Sequence, residues 1–154
     1  MSKLKLTVNE TKTRVCRLPE EKFDFLGYQL GRCYSSKTGT AYFGTIPSKK
    51  RVQRLCKAVS EVTRQHRTQQ DVETIVATLN RKLVGWSNYF RLGPVSKAYR
   101  AVEKHTTWRL RHWLRAKHKI RGPGTKRFSD DVLYGEFGLV RLTQRTASFP
   151  WAKP

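Results

Sequence analysis

The sequence predicts an α+β chain, mainly α. An N-terminal strand and a β-hairpin lead into a bundle of three helices, and an irregular C-terminal tail follows. Three observations carry this. β-Prone and alternating runs occupy the residues before Pro47, apolar residues recur at helical spacing from Ser48 to Arg121, and periodicity fades beyond Gly122. The chain divides accordingly into residues 1–47, 48–121 and 122–154.

Lys3-Leu4-Lys5-Leu6-Thr7-Val8 alternates polar with apolar, as a half-buried strand does. Phe23–Leu30 and Ala41–Ile46 are β-prone runs, and Ser35-Ser36-Lys37-Thr38-Gly39 between them has turn chemistry, so they predict a hairpin. In the first helix Val52, Leu55, Val59 and Val62 share a face, with Ser48 placed to cap. In the second, Val72, Ile75, Val76, Leu79, Leu83, Trp86 and Phe90 make an apolar stripe. Thr68 and Asp71 suggest a capping box before that helix, and Gly93-Pro94 ends it. In the third, Tyr99, Val102, Thr106, Leu110, Trp113 and Leu114 share a face, and the helix runs out near Arg121-Gly122-Pro123-Gly124. Aromatics in these stripes are read as core. In the tail, Leu139–Leu142 is expected to form a short strand and Phe149-Pro150-Trp151 to dock on the surface.

Charge dominates the composition. Against 11 Asp and Glu the chain sets 32 Lys and Arg, for a formal charge of +21 in 154 residues. Such a charge repels itself until a polyanion neutralises it. Its 17 aromatics exclude a disordered basic tail. No apolar run approaches the roughly 20 residues of a spanning helix, and Met1–Lys5 opens no secretory signal. The expected compartment is therefore the cytoplasm or an organellar matrix, and no membrane partner is expected. Cys16, Cys33 and Cys56 form no CxxC and match no zinc spacing with the four histidines, so reduced thiols are expected and no metal or cofactor is implied.

Residues 48–121 hold 19 Lys and Arg against 4 Asp and Glu, +15 of the total. A solvated helix face normally interleaves both signs, and these hardly do. Nucleic acid is the partner that fits. Lys49, Lys50, Arg51, Arg54 and Lys57 on the first helix are candidate phosphate contacts, as are Lys97, Arg100, Lys104, Arg111, Arg115 and Lys117 on the third. Lys104, Arg111 and Arg115 lie at steps of seven and four, on one face.

The second helix ends Leu79-Asn80-Arg81-Lys82-Leu83-Val84-Gly85-Trp86-Ser87-Asn88-Tyr89-Phe90-Arg91-Leu92-Gly93. This closely resembles the LNxxLxGWxNYFRxG signature of the maturase-specific domain in group II intron reverse transcriptases. The flanks agree. Leu6–Thr13 resembles the family's late palm motif and Phe25-Leu26-Gly27-Tyr28 its palm-to-thumb junction. Trp108–Arg115 resembles its basic thumb helix, and Gly138–Leu142 a common ending.

The resemblance implies a thumb-like bundle that packs on structured intron RNA while the RNA performs the splicing chemistry. It adds Arg81, Lys82, Asn88, Tyr89 and Arg91 as RNA-binding candidates; the small Gly85 beside Trp86 is itself expected to let another helix approach closely. The fingers and most of the palm, with the aspartates that hold two magnesium ions, have no counterpart in these residues. Phe128-Ser129-Asp130-Asp131 mimics a polymerase motif but follows the thumb and lacks a third carboxylate, so no catalytic residue is expected. Two further readings share the fold. One is a thumb that clamps an RNA/DNA template-primer duplex beside a palm or finger subunit in trans. The other is a remnant of a mobile element.

Overall fold

A computed structural model of the chain describes residues 16–17, 20–35, 38–122 and 124–146. The expected strand at Lys3–Val8, the Leu6–Thr13 motif and the docking of Phe149–Trp151 lie outside these residues. Three antiparallel strands in the order β1 (Phe23–Phe25), β2 (Tyr28–Tyr34), β3 (Ala41–Pro47) precede helices α1 (Lys49–Val62), α2 (Val72–Tyr89) and α3 (Ser96–Lys117). The α+β, mainly helical layout is thus as the sequence predicts.

The β2–β3 hairpin pairs Arg32 with Phe43 and Tyr34 with Ala41. The run Phe23–Leu30 is two strands rather than one, because Leu26 and Gly27 turn the chain between the paired Phe25 and Tyr28. Both turn residues have positive φ (50° and 86°), the combination a two-residue hairpin needs to match strand twist. Leu26 gives no sequence signal for this, since a leucine there is strained.

One core serves all the helices. Leu55, Val59 and Val62 of α1 meet Ile75, Val76, Leu79 and Leu83 of α2 and Tyr99, Val102, Leu110, Trp113 and Leu114 of α3. Neither Ser48 nor Asp71 makes a side-chain cap, so the Thr68–Asp71 capping box does not form; Thr68 instead closes a 3₁₀ turn, Gln65–Arg67. Helix α3 ends at Lys117, with Lys119 at φ 51°. Gly93, at φ 75°, lets the chain after α2 cross β3: a Cβ there would lie 2.1 Å from the Thr45 carbonyl oxygen. Gly85 is different. Space around it is open, and among the described residues no helix makes the close approach that its small size predicts.

The tail is where the structure departs most from expectation. Leu139–Leu142 forms no strand; a π-helical turn (Val132–Glu136) and a short helix α4 (Leu142–Arg145) occupy the region. Phe128, Leu133, Leu139 and Leu142 are buried in the same core as the three helices. Their spacing is not helical because they plug the groove between α2 and α3 from a chain that turns repeatedly. Two polar side chains fasten it. Asn80 donates from Nδ2 to the Gly138 carbonyl (2.8 Å) and accepts the Val140 amide on Oδ1 (2.9 Å), pairing with this irregular segment as a neighbouring backbone would. Glu103 accepts the Thr143 amide (3.0 Å) and hydroxyl (3.1 Å), capping the start of α4.

The sheet joins the helices through an aromatic knot. Phe90 packs 5.0 Å from both Tyr28 and Trp86, and Trp86 packs 5.6 Å from Tyr99. The buried Tyr99 hydroxyl lies 3.0 Å from the Ser87 carbonyl and 2.9 Å from that of Phe90, so it satisfies the end of α2. Burial pushes its phenol up to about 12. An unfolded tyrosine titrates near ~10, so between those values the native state keeps a proton that the unfolded state has lost. This part of the stability is whole below about pH 10 and falls as pH rises toward about 12. Tyr99→Phe is expected to cost about 1–2 kcal/mol at neutral pH and to flatten the alkaline decline. Urea unfolding at a series of pH values measures both, and an unchanged alkaline slope would count against the assignment.

Candidate nucleic-acid interface

Helix α1 begins with Lys49, Lys50 and Arg51 and has no acid in its first turn. Cations there oppose the positive end of the helix dipole, typically by ~0.3–1 kcal/mol each, and an anion would relieve the conflict. Arg54 and Lys57 continue the exposed side. On α3 the buried residues take one face, and Lys97, Arg100 and Lys104 recur at steps of three and four on the other, all exposed. Arg81 and Lys82 are exposed on α2, beside Gly85. Among the described residues none of these ten basic side chains forms a hydrogen bond or ion pair.

The remaining candidates have internal work. Arg111 donates from Nε to the Phe128 carbonyl (2.8 Å) and pairs with Asp130, tying the tail to α3. Lys117 donates to the Thr68 (3.0 Å) and Gln70 (2.8 Å) carbonyls in the α1–α2 connection and lies over the Trp113 ring. The stem of half-buried Arg115 packs on Gly124, where a Cβ would lie 2.6 Å from its Cγ. So the Lys104 side chain stands open, whereas the Arg111 guanidinium is tied to the tail. Asn88 accepts a bond from Arg145 at 2.7 Å. Tyr89 is half exposed, but its hydroxyl donates to the Leu26 carbonyl (2.8 Å), while Tyr28 donates to the Tyr89 carbonyl (2.6 Å). This reciprocal clasp holds the β1–β2 turn on the end of α2. Arg91 is exposed near the Tyr28 hydroxyl, which burial shifts upward.

Sequence reasoning passed over three residues. His105 contacts the Ser60 hydroxyl and Cys56 carbonyl, and Arg109 donates to the Thr63 hydroxyl and to the Ser60 and Thr63 carbonyls, so both close the end of α1. Trp108 is 56% exposed on the basic face of α3. Its signal was available: it lies four residues from Lys104, off the apolar stripe.

Phe128-Ser129-Asp130-Asp131 is a structural corner. Phe128 is buried, the Ser129 hydroxyl accepts the Val132 amide (3.4 Å), and Asp130 faces Arg111. Among the described residues no group of three or more His, Cys, Asp or Glu could hold a metal ion. No helix among them is long and apolar enough to cross a membrane, and the cysteines are free thiols.

No curated protein matches the sequence. The family described as "Group II intron, maturase-specific domain" matches residues 52–129, half of the chain and nearly all of its helical core. That span runs from the first apolar contact of α1 to the corner where Arg111 secures the tail, and it contains the aromatic string built into the knot. The chain belongs to the group II intron maturase-specific domain family.

Proposed function

We propose that this chain is an RNA-binding maturase module that binds folded group II intron RNA and assists its splicing without chemistry of its own. The observation that supports this most is the set of ten basic side chains on α1, α2 and α3, exposed and unmatched by acids. Each can neutralise a phosphate and release its counterion. Assistance then follows from linkage: a protein that binds the active RNA fold more tightly than misfolded forms shifts the population toward it.

A salt series of binding to a group II intron RNA tests the reading. With about six to ten phosphate contacts, affinity is expected to fall roughly 10³–10⁵-fold between about 50 and about 200 mM salt. Affinity that hardly changes would contradict a phosphate-gripping surface.

For the isolated chain we propose no polymerase activity. The pairing of Asp130 with Arg111 supports this, since a carboxylate held by a guanidinium is a poor magnesium ligand. Primer extension on an RNA template is expected to yield no product, and measurable synthesis would overturn the proposal.

A further inference from the structure

Between the end of α1 and the last two turns of α3 lies a cleft of about 410 Å³, and its walls are rich in donors. Arg109, His112, Arg115 and Lys119 line it together with Gln65 and Trp113, and no Asp or Glu does. Two of the lining residues also carry a buried N–H with no acceptor among the described residues: the indole N–H of Trp113, a residue only 1% exposed, and Nε of Arg115. A buried donor left unmatched costs about 1–3 kcal/mol. The nearby α3 carbonyls accept backbone amides instead. The His118 amide takes Leu114, the Lys119 amide takes Ala116 (3.4 Å) and the Ile120 amide takes Arg115 (3.0 Å). Arg109 meanwhile occupies the carbonyls at the end of α1. What the wall offers a ligand is the positive charge of Arg109, Arg115 and Lys119 with no acid beside it, the chemistry that takes an anion.

Lys119 sharpens the point. The bonds just named are those of a helix ending whose residue after the cap adopts the left-handed conformation. Glycine suits that place best, yet Lys119 holds it at φ 51°. The fold would be better served by glycine, so the ammonium is what this position supplies.

One exposed ring adjoins the cleft. Trp108 lies 5.4 Å from His112 by ring centroids and 5.8 Å from the Arg109 guanidinium, and both of those residues also line the cleft. Lys104 stands one helical turn away on the same exposed face. An open indole beside a cationic cleft pairs a stacking surface with a phosphate holder, which is how single-stranded nucleic acid is gripped.

We propose that the cleft takes one phosphate of an unpaired RNA segment, with a neighbouring base stacked on Trp108. This rests on the RNA-binding reading above and adds a site that prefers extruded or single-stranded nucleotides to duplex. The experiment compares the full chain with Trp108→Ala, Trp108→Leu, Trp108→Phe and Lys119→Gly on three probes: a short single-stranded oligoadenylate, a blunt RNA duplex and a group II intron RNA. Trp108→Ala and Trp108→Leu are expected to weaken oligoadenylate binding about tenfold or more, with duplex affinity within about twofold of the parent. Trp108→Phe keeps a π face and is expected to recover most of the loss. Lys119→Gly is expected to raise the melting temperature while weakening oligoadenylate binding severalfold, a pairing that a purely structural lysine would not produce. Parent-like oligoadenylate affinity in Trp108→Leu and Lys119→Gly, with intron RNA still bound, would overturn this site alone. A parent chain that binds none of the three probes would overturn the RNA-binding reading, and the site with it.

Discussion

A chain ended at Gly122 is expected to lose its cooperative fold, although all three long helices are intact in it. The truncation removes Phe128, Leu133, Leu139 and Leu142 from the shared core. Burial of such side chains is worth about 1.5–3 kcal/mol each, so the four together approach the ~5–15 kcal/mol that stabilises a whole domain. It also strips Asn80 and Glu103 of the backbone groups they hold. The shortened chain should retain helical far-ultraviolet dichroism while losing near-ultraviolet signal and a sharp melt. A milder probe of the same contact is Asn80→Ala, expected to cost about 1–3 kcal/mol by leaving the Gly138 carbonyl and Val140 amide unmatched. A truncated chain that melted as sharply and as high as the parent would show the tail to be an appendage.

Reversing Lys97, Arg100 and Lys104 to glutamate is expected to weaken binding of group II intron RNA about a hundredfold or more near physiological salt, with melting temperature little changed. Three fewer phosphate contacts should also flatten the slope of log affinity on log salt by about 2–3. Arg111→Ala should behave in the opposite way. It frees Asp130 and the Phe128 carbonyl from α3, so stability falls while RNA affinity moves little. If Arg111→Ala proved the more damaging to RNA binding, the division of α3 into a holding side and a binding side would be wrong.

That division marks how far the sequence could be read. Val52, Leu55, Val59 and Val62, and the matching stripes of α2 and α3, reveal themselves because burial on one helix face imposes a period. The basic faces are visible for the same reason, as the complement of those stripes. What periodicity cannot report is a partner. Arg111 and Lys117 look like further members of the basic set, yet their acceptors, Phe128 and Asp130 or Thr68 and Gln70, are supplied by chain folded back from elsewhere. Tyr89 is among the RNA-binding candidates, and the partners of its hydroxyl and carbonyl, Leu26 and Tyr28, come from more than sixty residues away. Asn80 and Glu103 carried a faint signal, being a polar residue beside the α2 stripe and the one acid on α3. Their meaning depended on a tail whose core residues follow no regular spacing. Trp108 is legible in its spacing, four residues from Lys104 and off the apolar stripe, although it sits inside a longer motif.

This surface is proposed to recognise group II intron RNA rather than polyanions at large. Competition tests it most directly: labelled group II intron RNA bound to the full chain, challenged near physiological salt by unlabelled intron RNA and by an unrelated RNA of equal length. Shared phosphate charge cancels in that comparison, leaving only the difference in recognition. The intron competitor is expected to displace the label at concentrations about tenfold lower, or better. Equal displacement by the two RNAs would contradict it and leave only a basic protein that binds RNA without choosing.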